Sequence, residues 1–416
     1  MKHFILIVLF LLAPSLSQIQ ALPRYALLTG YRCVSCHINP TGGQMRNEYG
    51  LTYSMNAIPL RSTDVAPQKT QTDSSGDSSA APGDAEFVFN PKLNDNISIG
   101  GDYRGQFIDD LGSRTTAFQE MTATIYTSIQ IGKKISLYYK QDFLNPSYGN
   151  PKNSDFGGPE IFGLIKTIPS TYIKGGAFLP EYGWRVDDHT IYTRGGDIGF
   201  IGSLGQNMGL LFTPNYKDVG VEAAWWNGGL TITASLFNGN GVSNQISFSY
   251  LKAYAVKLEY MGALSNVNYR IGASGYRNKD YKMGGFHAGI GTGPLVVFGE
   301  MDWTINRWNI YDPHSPDVIM GINSMAAFAE LNYRVVQGLW GIVRYEAFDP
   351  LLGVPDDPNF VRTPGGPNGN NAIQRLVYGV EFFPYSFVEI RPQYRMNMET
   401  PSVSNDQALV QMHFWF

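Results

Sequence analysis

From residue 87 to the end, apolar and polar side chains alternate with a period of two in one stretch after another. Met121, Ala123, Ile125, Ile129 and Ile131 interleave with Thr122, Thr124, Tyr126, Ser128 and Gln130; Ala327, Ala329, Leu331, Tyr333 and Val335 interleave with Phe328, Glu330, Asn332 and Arg334. Leu376, Tyr378, Val380 and Phe382 oppose Arg375 and Glu381, and Val388, Ile390, Tyr394 and Met396 oppose Glu389, Arg391, Gln393 and Arg395. Successive side chains of a strand point to opposite faces, so each stretch predicts a strand with one apolar and one polar face. A β-sandwich turns the apolar face inward, whereas a transmembrane barrel turns it out to lipid. Trp225, Trp226, Trp303, Trp340 and Tyr345 fall near predicted strand ends, where a barrel carries its aromatic girdles. The expectation is therefore an all-β transmembrane barrel over residues 87–416. At roughly 20 residues per strand with its connection, that region holds about 16 antiparallel strands, within a range of about 14 to 18.

Stretches rich in Gly, Pro, Asn and Asp at 145–160, 179–195, 306–319 and 350–372 predict the longer loops. A barrel of this size encloses a water-wide lumen unless something fills it. The polar faces carry both signs, as in Glu330, Arg334, Arg344, Glu346, Glu381, Glu389, Arg391 and Arg395. Mixed charges predict cross-bracing of the inner wall rather than a one-sign filter.

Composition fits dispersed apolarity. The chain is 43% hydrophobic yet has a mean hydropathy of −0.17, so no later run forms a helical span. The N-terminus differs: a weakly basic start, an apolar run at 4–13 too short to span a bilayer, and small or polar residues at 15–21. These predict a cleaved signal peptide over 1–21 and an exported chain starting near Leu22. The last segment, Ala408, Val410, Met412, Phe414 and Phe416, alternates up to a terminal aromatic and resembles the closing strand of bacterial outer-membrane proteins. The lipid of that membrane is then the barrel's surroundings. Residues 61–86, rich in Ser, Asp, Pro, Gln and Thr, predict a disordered linker and set 22–60 apart as a small N-terminal segment. A net charge of −4 argues against nucleic acid.

Within that segment Cys33, Val34, Ser35, Cys36 and His37 spell C-x-x-C-H. A thioredoxin-like site needs a βαβ context, and a structural zinc site needs two more ligands nearby; neither accompanies the chain's only two cysteines. The spacing points to one covalent c-type haem, with thioethers from Cys33 and Cys36 and His37 as the proximal iron ligand. A disulfide is the alternative. Met45, beyond Pro40 and the Gly42 and Gly43 pair, is the first candidate for the distal ligand and Met55 the second, against the plainer reading that thioethers fill packing gaps. His189, His287, His314 and His413 read as solvated or girdle residues, with alternation placing His413 on the lumen face. Asp187, Asp188 and His189 carry donors suited to a divalent cation such as Fe(II); the plainer reading is a loop folded into the pore.

Residues Pro23, Arg24, Tyr25, Ala26, Leu27, Leu28, Thr29 and Gly30, followed by Tyr31, Arg32 and the motif, resemble the start of the fused monohaem cytochrome-porin family of outer-membrane iron oxidases. The resemblance covers 23–37 only, and the segment from Ile38 to Gly50 departs from the iron oxidases. It implies a small cytochrome segment plugging a barrel and passing electrons between an extracellular donor or acceptor, possibly a metal ion such as Fe(II), and periplasmic electron carriers. The other reading is a solute-diffusion porin whose haem segment is a periplasmic accessory. No hydrolase, zinc-protease or phosphate-loop motif occurs.

Overall fold

The computed structural model describes residues 23–60, 91–143, 159–186, 188, 190–196, 210, 216–239, 252–308, 318–319, 321–359 and 371–416. The expected signal peptide and linker lie outside them. Strands β1 to β5 are Ile97–Asp110, Thr115–Ile131, Ile135–Asp142, Glu160–Ile165 and Thr171–Phe178. Strands β6 to β11 are Asp218–Asn227, Leu230–Phe237, Ala253–Leu264, Val267–Asn278, Tyr281–Thr292 and Leu295–Ile305. The short β12 (Arg307–Trp308) and β13 (Val318–Ile319) pair only with each other. Strands β14 to β18 are Ser324–Val336, Leu339–Asp349, Ile373–Phe382, Val388–Glu399 and Gln407–Trp415.

Apart from β12 and β13, the strands form one closed antiparallel barrel of sixteen. Each pairs with its neighbour in sequence, β11 pairs with β14, and β18 closes the ring on β1 with His413 opposite Arg104. Closure removes every sheet edge, which lipid demands because it cannot hydrogen-bond an exposed backbone. Ile125, Ile271, Phe286 and Val410 project outward and stay exposed, while Thr124, Arg270, His287 and Gln411 next to them are buried on the lumen side. The chain is thus a bacterial outer-membrane β-barrel, and the sandwich is excluded.

Four positions depart from the expectations. Between Arg104 and Gly105 the β1–β2 register slips, so Met121 has no partner and is buried rather than facing lipid. Such a bulge reverses the facing of the residues beyond it. Trp340 and Trp226 belong to no girdle: Trp340 points into the lumen and is buried, and Trp226 packs against the lumen cluster beside Tyr172, whereas Trp225, Trp303 and Tyr345 do face outward. Arg334, expected among the lumen charges, is exposed near the end of β14.

The connections 132–134, 166–170, 228–229, 265–266, 293–294, 337–338 and 383–387 are short and share one rim; the longer ones, including 179–217, share the other. Short turns mark the periplasmic side of such barrels. Ile271 sits in the middle of lipid-facing β9, so Ile271→Arg is expected to cost about 2–4 kcal/mol. Urea titration of the protein refolded into detergent checks this, and a loss below ~0.5 kcal/mol would contradict the lipid-facing assignment.

Candidate functional site

Two segments from opposite rims enter the lumen. The first runs from Pro23 to Leu60 and contains α1 (Pro23–Thr29), a 3-10 turn at Cys33–Ser35 and α2 (Glu48–Asn56). Asn47 caps α2, its side chain accepting a hydrogen bond from Gly50 N at 3.0 Å, with Glu48 favourably placed in the first turn. So short a segment cannot bury its apolar side chains alone, and it buries them against the wall. Leu27 packs with Trp184, Val296, Phe298 and Phe328, and Tyr25 and Ile58 pack with Trp340, Phe383 and Trp415. Gly289 and Gly291 on the inner face of β10 make room: a Cβ at Gly291 would lie 2.5 Å from the Leu27 carbonyl oxygen.

Polar contacts fix the segment's depth. The Arg24 guanidinium pairs with Glu381, donates to Asn332 at 3.1 Å and lies over the rings of Tyr25 and Trp340. Arg32 donates to the Gly228 carbonyl at 2.5 Å, and Arg270 donates to the Tyr31 carbonyl at 2.8 Å. Leu60 N bonds to Phe383 O, and Gln337 donates to the carbonyls of Asn56 and Pro59. Both of those partners are periplasmic turns, so the segment occupies the lumen from the periplasmic rim.

The C-x-x-C-H residues form a tight turn, with Cys36 N and His37 N both donating to Cys33 O at 3.2 and 3.1 Å. No disulfide joins Cys33 and Cys36. Burial holds the Cys33 thiol above its ordinary value against the pull of Arg270, the reverse of what a disulfide-exchanging cysteine needs. Cys36 is buried beneath α2, where a Cβ at Gly50 would lie 2.2 Å from the Cys36 carbonyl oxygen. Of the three motif side chains, His37 is the one that lines the main lumen cavity.

Met45 is placed elsewhere. His37 and Arg46 form an antiparallel bridge, and Ile38 N donates to Met45 O at 3.2 Å. Opposed residues of such a pair project to the same side and their neighbours to the other, so His37 and Arg46 face the cavity and Met45 faces away. It is buried in the cluster that includes Tyr126, beside Gly100. Met55 is buried near the β16–β17 turn, where Ser386 bonds its carbonyl. His287 and His413 are not solvated or girdle residues: both are buried in the lumen, His287 against Glu259 and His413 between Glu389 and Asp102. His189, His314 and Asp187 lie outside the described residues.

The second segment is the start of the β5–β6 connection, residues 179–196, which folds in from the extracellular rim. Trp184 donates through its indole to Gly299 O at 2.9 Å and through its backbone to Glu300 at 2.7 Å. Arg194 pairs with Glu300 at 2.6 Å and Lys257 pairs with Glu181 at 2.7 Å. Thr190 accepts from Arg375 and Arg395, and Asp188 pairs with Arg344 at 3.1 Å. Since Arg344 engages the Asp188 carboxylate, this residue acts as a latch, and no group of three metal-ligating side chains occurs among the described residues. The loop folded into the pore is what the structure displays.

Between the two segments and the wall from β1 to β3 and β14 to β18 lies a cavity. His37, Arg46 and Gln44 line it from the inserted segment, Arg185 and Asp188 from the loop, and Asp102, Lys140, Glu389 and His413 from the wall. Its lining has seven Arg and Lys side chains against five carboxylates, an excess of two positive charges. A haem brings two propionates, and guanidinium groups are the usual partners of carboxylates in such places. The imidazole and the charge excess suit an iron and two propionates, whereas Cys33 and Cys36, which would carry the thioethers, do not line this cavity.

No protein-family model matches the sequence, and none of the curated proteins matches it. Among solved structures, OprB of Pseudomonas putida is 10% identical, with 77% of this chain and 94% of that one covered at a TM-score of 0.51. OmpF of Salmonella typhi is 14% identical over 77% and 98% at a TM-score of 0.49, and the outer-membrane channel DcaP of Acinetobacter baumannii is 11% identical over 77% and 97% at 0.48. At such identities the likeness is one of fold.

The Asp188–Arg344 latch is testable. Replacing Arg344 by Met leaves Asp188, Glu330 and Glu346 without their shared cation, a loss of about 3–5 kcal/mol for a buried pair. Limited proteolysis should then cleave within 180–196, and unaltered resistance would count against the latch. Burial would raise the Asp188 carboxyl, but Arg344, with Arg395 and Arg391 behind it, reverses this and holds it well below its ordinary value. The contribution is therefore complete above the ordinary carboxylate value of ~3.9 and is lost only as pH falls through the depressed one. Protection of the loop should persist to about pH 4 and fail in stronger acid.

Proposed function

We propose that this outer-membrane barrel is an electron conduit in which residues 23–60 hold one covalent c-type haem within the lumen, attached through Cys33 and Cys36 and bound by His37. The observation that carries the proposal is the place of the C-x-x-C-H turn: its histidine is buried inside the barrel and lines a cation-rich cavity. When bound, the haem supplies one-electron exchange with a periplasmic carrier on one side and an extracellular partner on the other.

The chain's own groups make a housing for that chemistry. Arg24 and Arg46 offer charge to carboxylate substituents, and Arg46 is steadied by lying over the Trp415 ring at 5.2 Å. Trp184 and Phe298 pack against Leu27 of the inserted segment. Fixed charges around the cofactor are the protein's means of setting its potential.

A solute-diffusion porin with an accessory haem segment is the second reading, and the barrel architecture common to OprB and this chain favours it. The two segments inserted in the lumen favour the conduit.

Haem staining of the denatured protein is expected to be positive, with attachment lost in Cys33→Ser plus Cys36→Ser. In liposomes loaded with an electron acceptor, an external donor should reduce the contents without release of sugar. Sugar flux with no electron transfer would establish the porin, and an unstained wild-type chain would remove the haem reading altogether.

A further inference from the structure

We propose that the lumen cavity is a binding site for a small oxyanion, a carboxylate or a phosphate, held between Arg46 of the inserted segment and Arg104 of the barrel wall. The site does not depend on the haem, whose cysteines lie outside the lining of this cavity.

The two ends of the cavity differ in how their charges are met. At the end formed by β14 to β17, cations and carboxylates answer one another: Arg344 pairs with Asp188, Glu330 and Glu346, and Glu381 joins Arg24 to Arg391. At the end formed by β1 to β3 and β18 they do not. Asp102 there lies within the fields of Arg46, Arg104, Lys140 and His413 together, and Asp142 behind it is shared by Lys140 and Lys217. Arg185 adds a further cation from the loop, and Glu160, to which Gln44 donates at 2.7 Å, a further carboxylate. Five Arg and Lys side chains thus meet three carboxylates at this end. A fixed positive excess in a confined lumen attracts anions, and an anion that accepts hydrogen bonds offsets the cost of the unmatched charge.

Register brings the donors together. Where β1 closes on β18, Arg104 lies opposite His413 and Asp102 opposite Trp415, and alternate residues of a strand share a face. Arg46 reaches the same patch from the inserted segment, its guanidinium 5.2 Å from the centre of the Trp415 ring, which itself lies 4.8 Å from the imidazole of His413. Arg104 approaches that imidazole to 3.4 Å from the wall. The two guanidinium groups therefore flank one indole–imidazole pair. Both arginines are half-buried, whereas Lys140 is buried, so the guanidinium groups are what an occupant of the cavity meets. A planar guanidinium presents paired N–H donors that match two oxygens of a carboxylate or phosphate, and stacking on an indole leaves its edge free to donate. A neutral sugar gains nothing from the charge.

Isothermal titration calorimetry of the full-length protein in detergent at low ionic strength provides the test, with inorganic phosphate, succinate and glucose as probes. Phosphate or succinate should bind at one saturable site, and glucose should not. Arg46→Gln and Arg104→Gln should each weaken that binding roughly tenfold or more, since each removes charge-assisted hydrogen bonds. A wild type that gives no saturable heat with either anion, or folded variants of both arginines that bind as the wild type does, would overturn the proposal. Should one variant fail to fold, as judged by heat-modifiable gel mobility, the other and the wild-type titration decide. The haem-loaded chain and the Cys33→Ser plus Cys36→Ser variant should bind alike; an anion taken up by the cysteine variant alone would show that haem propionates occupy the arginines, and would overturn the assignment to a free solute. Anion binding by a wild type that lacks covalent haem would support the site while refuting the conduit.

Discussion

The barrel's interior charges cannot be left alone. Sixteen strands make a lumen too wide for wall side chains to fill, and lipid on the outer face forces the polar side chains of each strand inward. The resulting ring of Arg, Lys, Glu and Asp is stable only if each charge meets an opposite one, because an unpaired buried ion costs far more than a paired one. Partners come partly from the wall, as in Arg391 with Glu389 and Arg375 with Glu346. The remainder are brought in by Arg24 from the periplasmic side and by Glu181, Asp188 and Arg194 from the extracellular side. Filling the lumen and neutralising it are thus one process, and the position of the C-x-x-C-H turn follows from it.

Much of this was legible in the sequence, because a strand's period of two survives in any environment that differs between its faces. Ile125, Ala329, Tyr378 and Val410 were assigned to the outer face by that rule, and His413 to the lumen. The failures have local causes. A bulge inverted Met121, and Trp340 looked like a girdle residue because its proximity to a strand end says nothing of which side it faces. Alternation along β15, with Leu339 out and Trp340 in, contained that information.

The site was less legible. Cys33, Cys36 and His37 announce themselves by spacing, but the role of Met45 depended on a bridge between His37 and Arg46 that no local pattern encodes. Likewise, Asp188 looked like a metal ligand beside its neighbours in sequence, whereas its effective neighbour is Arg344, more than 150 residues away. Long-range pairing of this kind is decided by barrel register, and register is set by the closure of the ring.

The two inserted segments enter by different rims, and this bears on assembly. Leu60 leaves the lumen beside the periplasmic turns, and β1 begins at that same rim. Residues 23–60 thus enter and leave by one rim and can seat themselves after the ring has closed. The extracellular segment has no such freedom: it continues directly from β5, so it folds inward as part of the wall itself, and Trp184 meets Leu27 of the inserted piece.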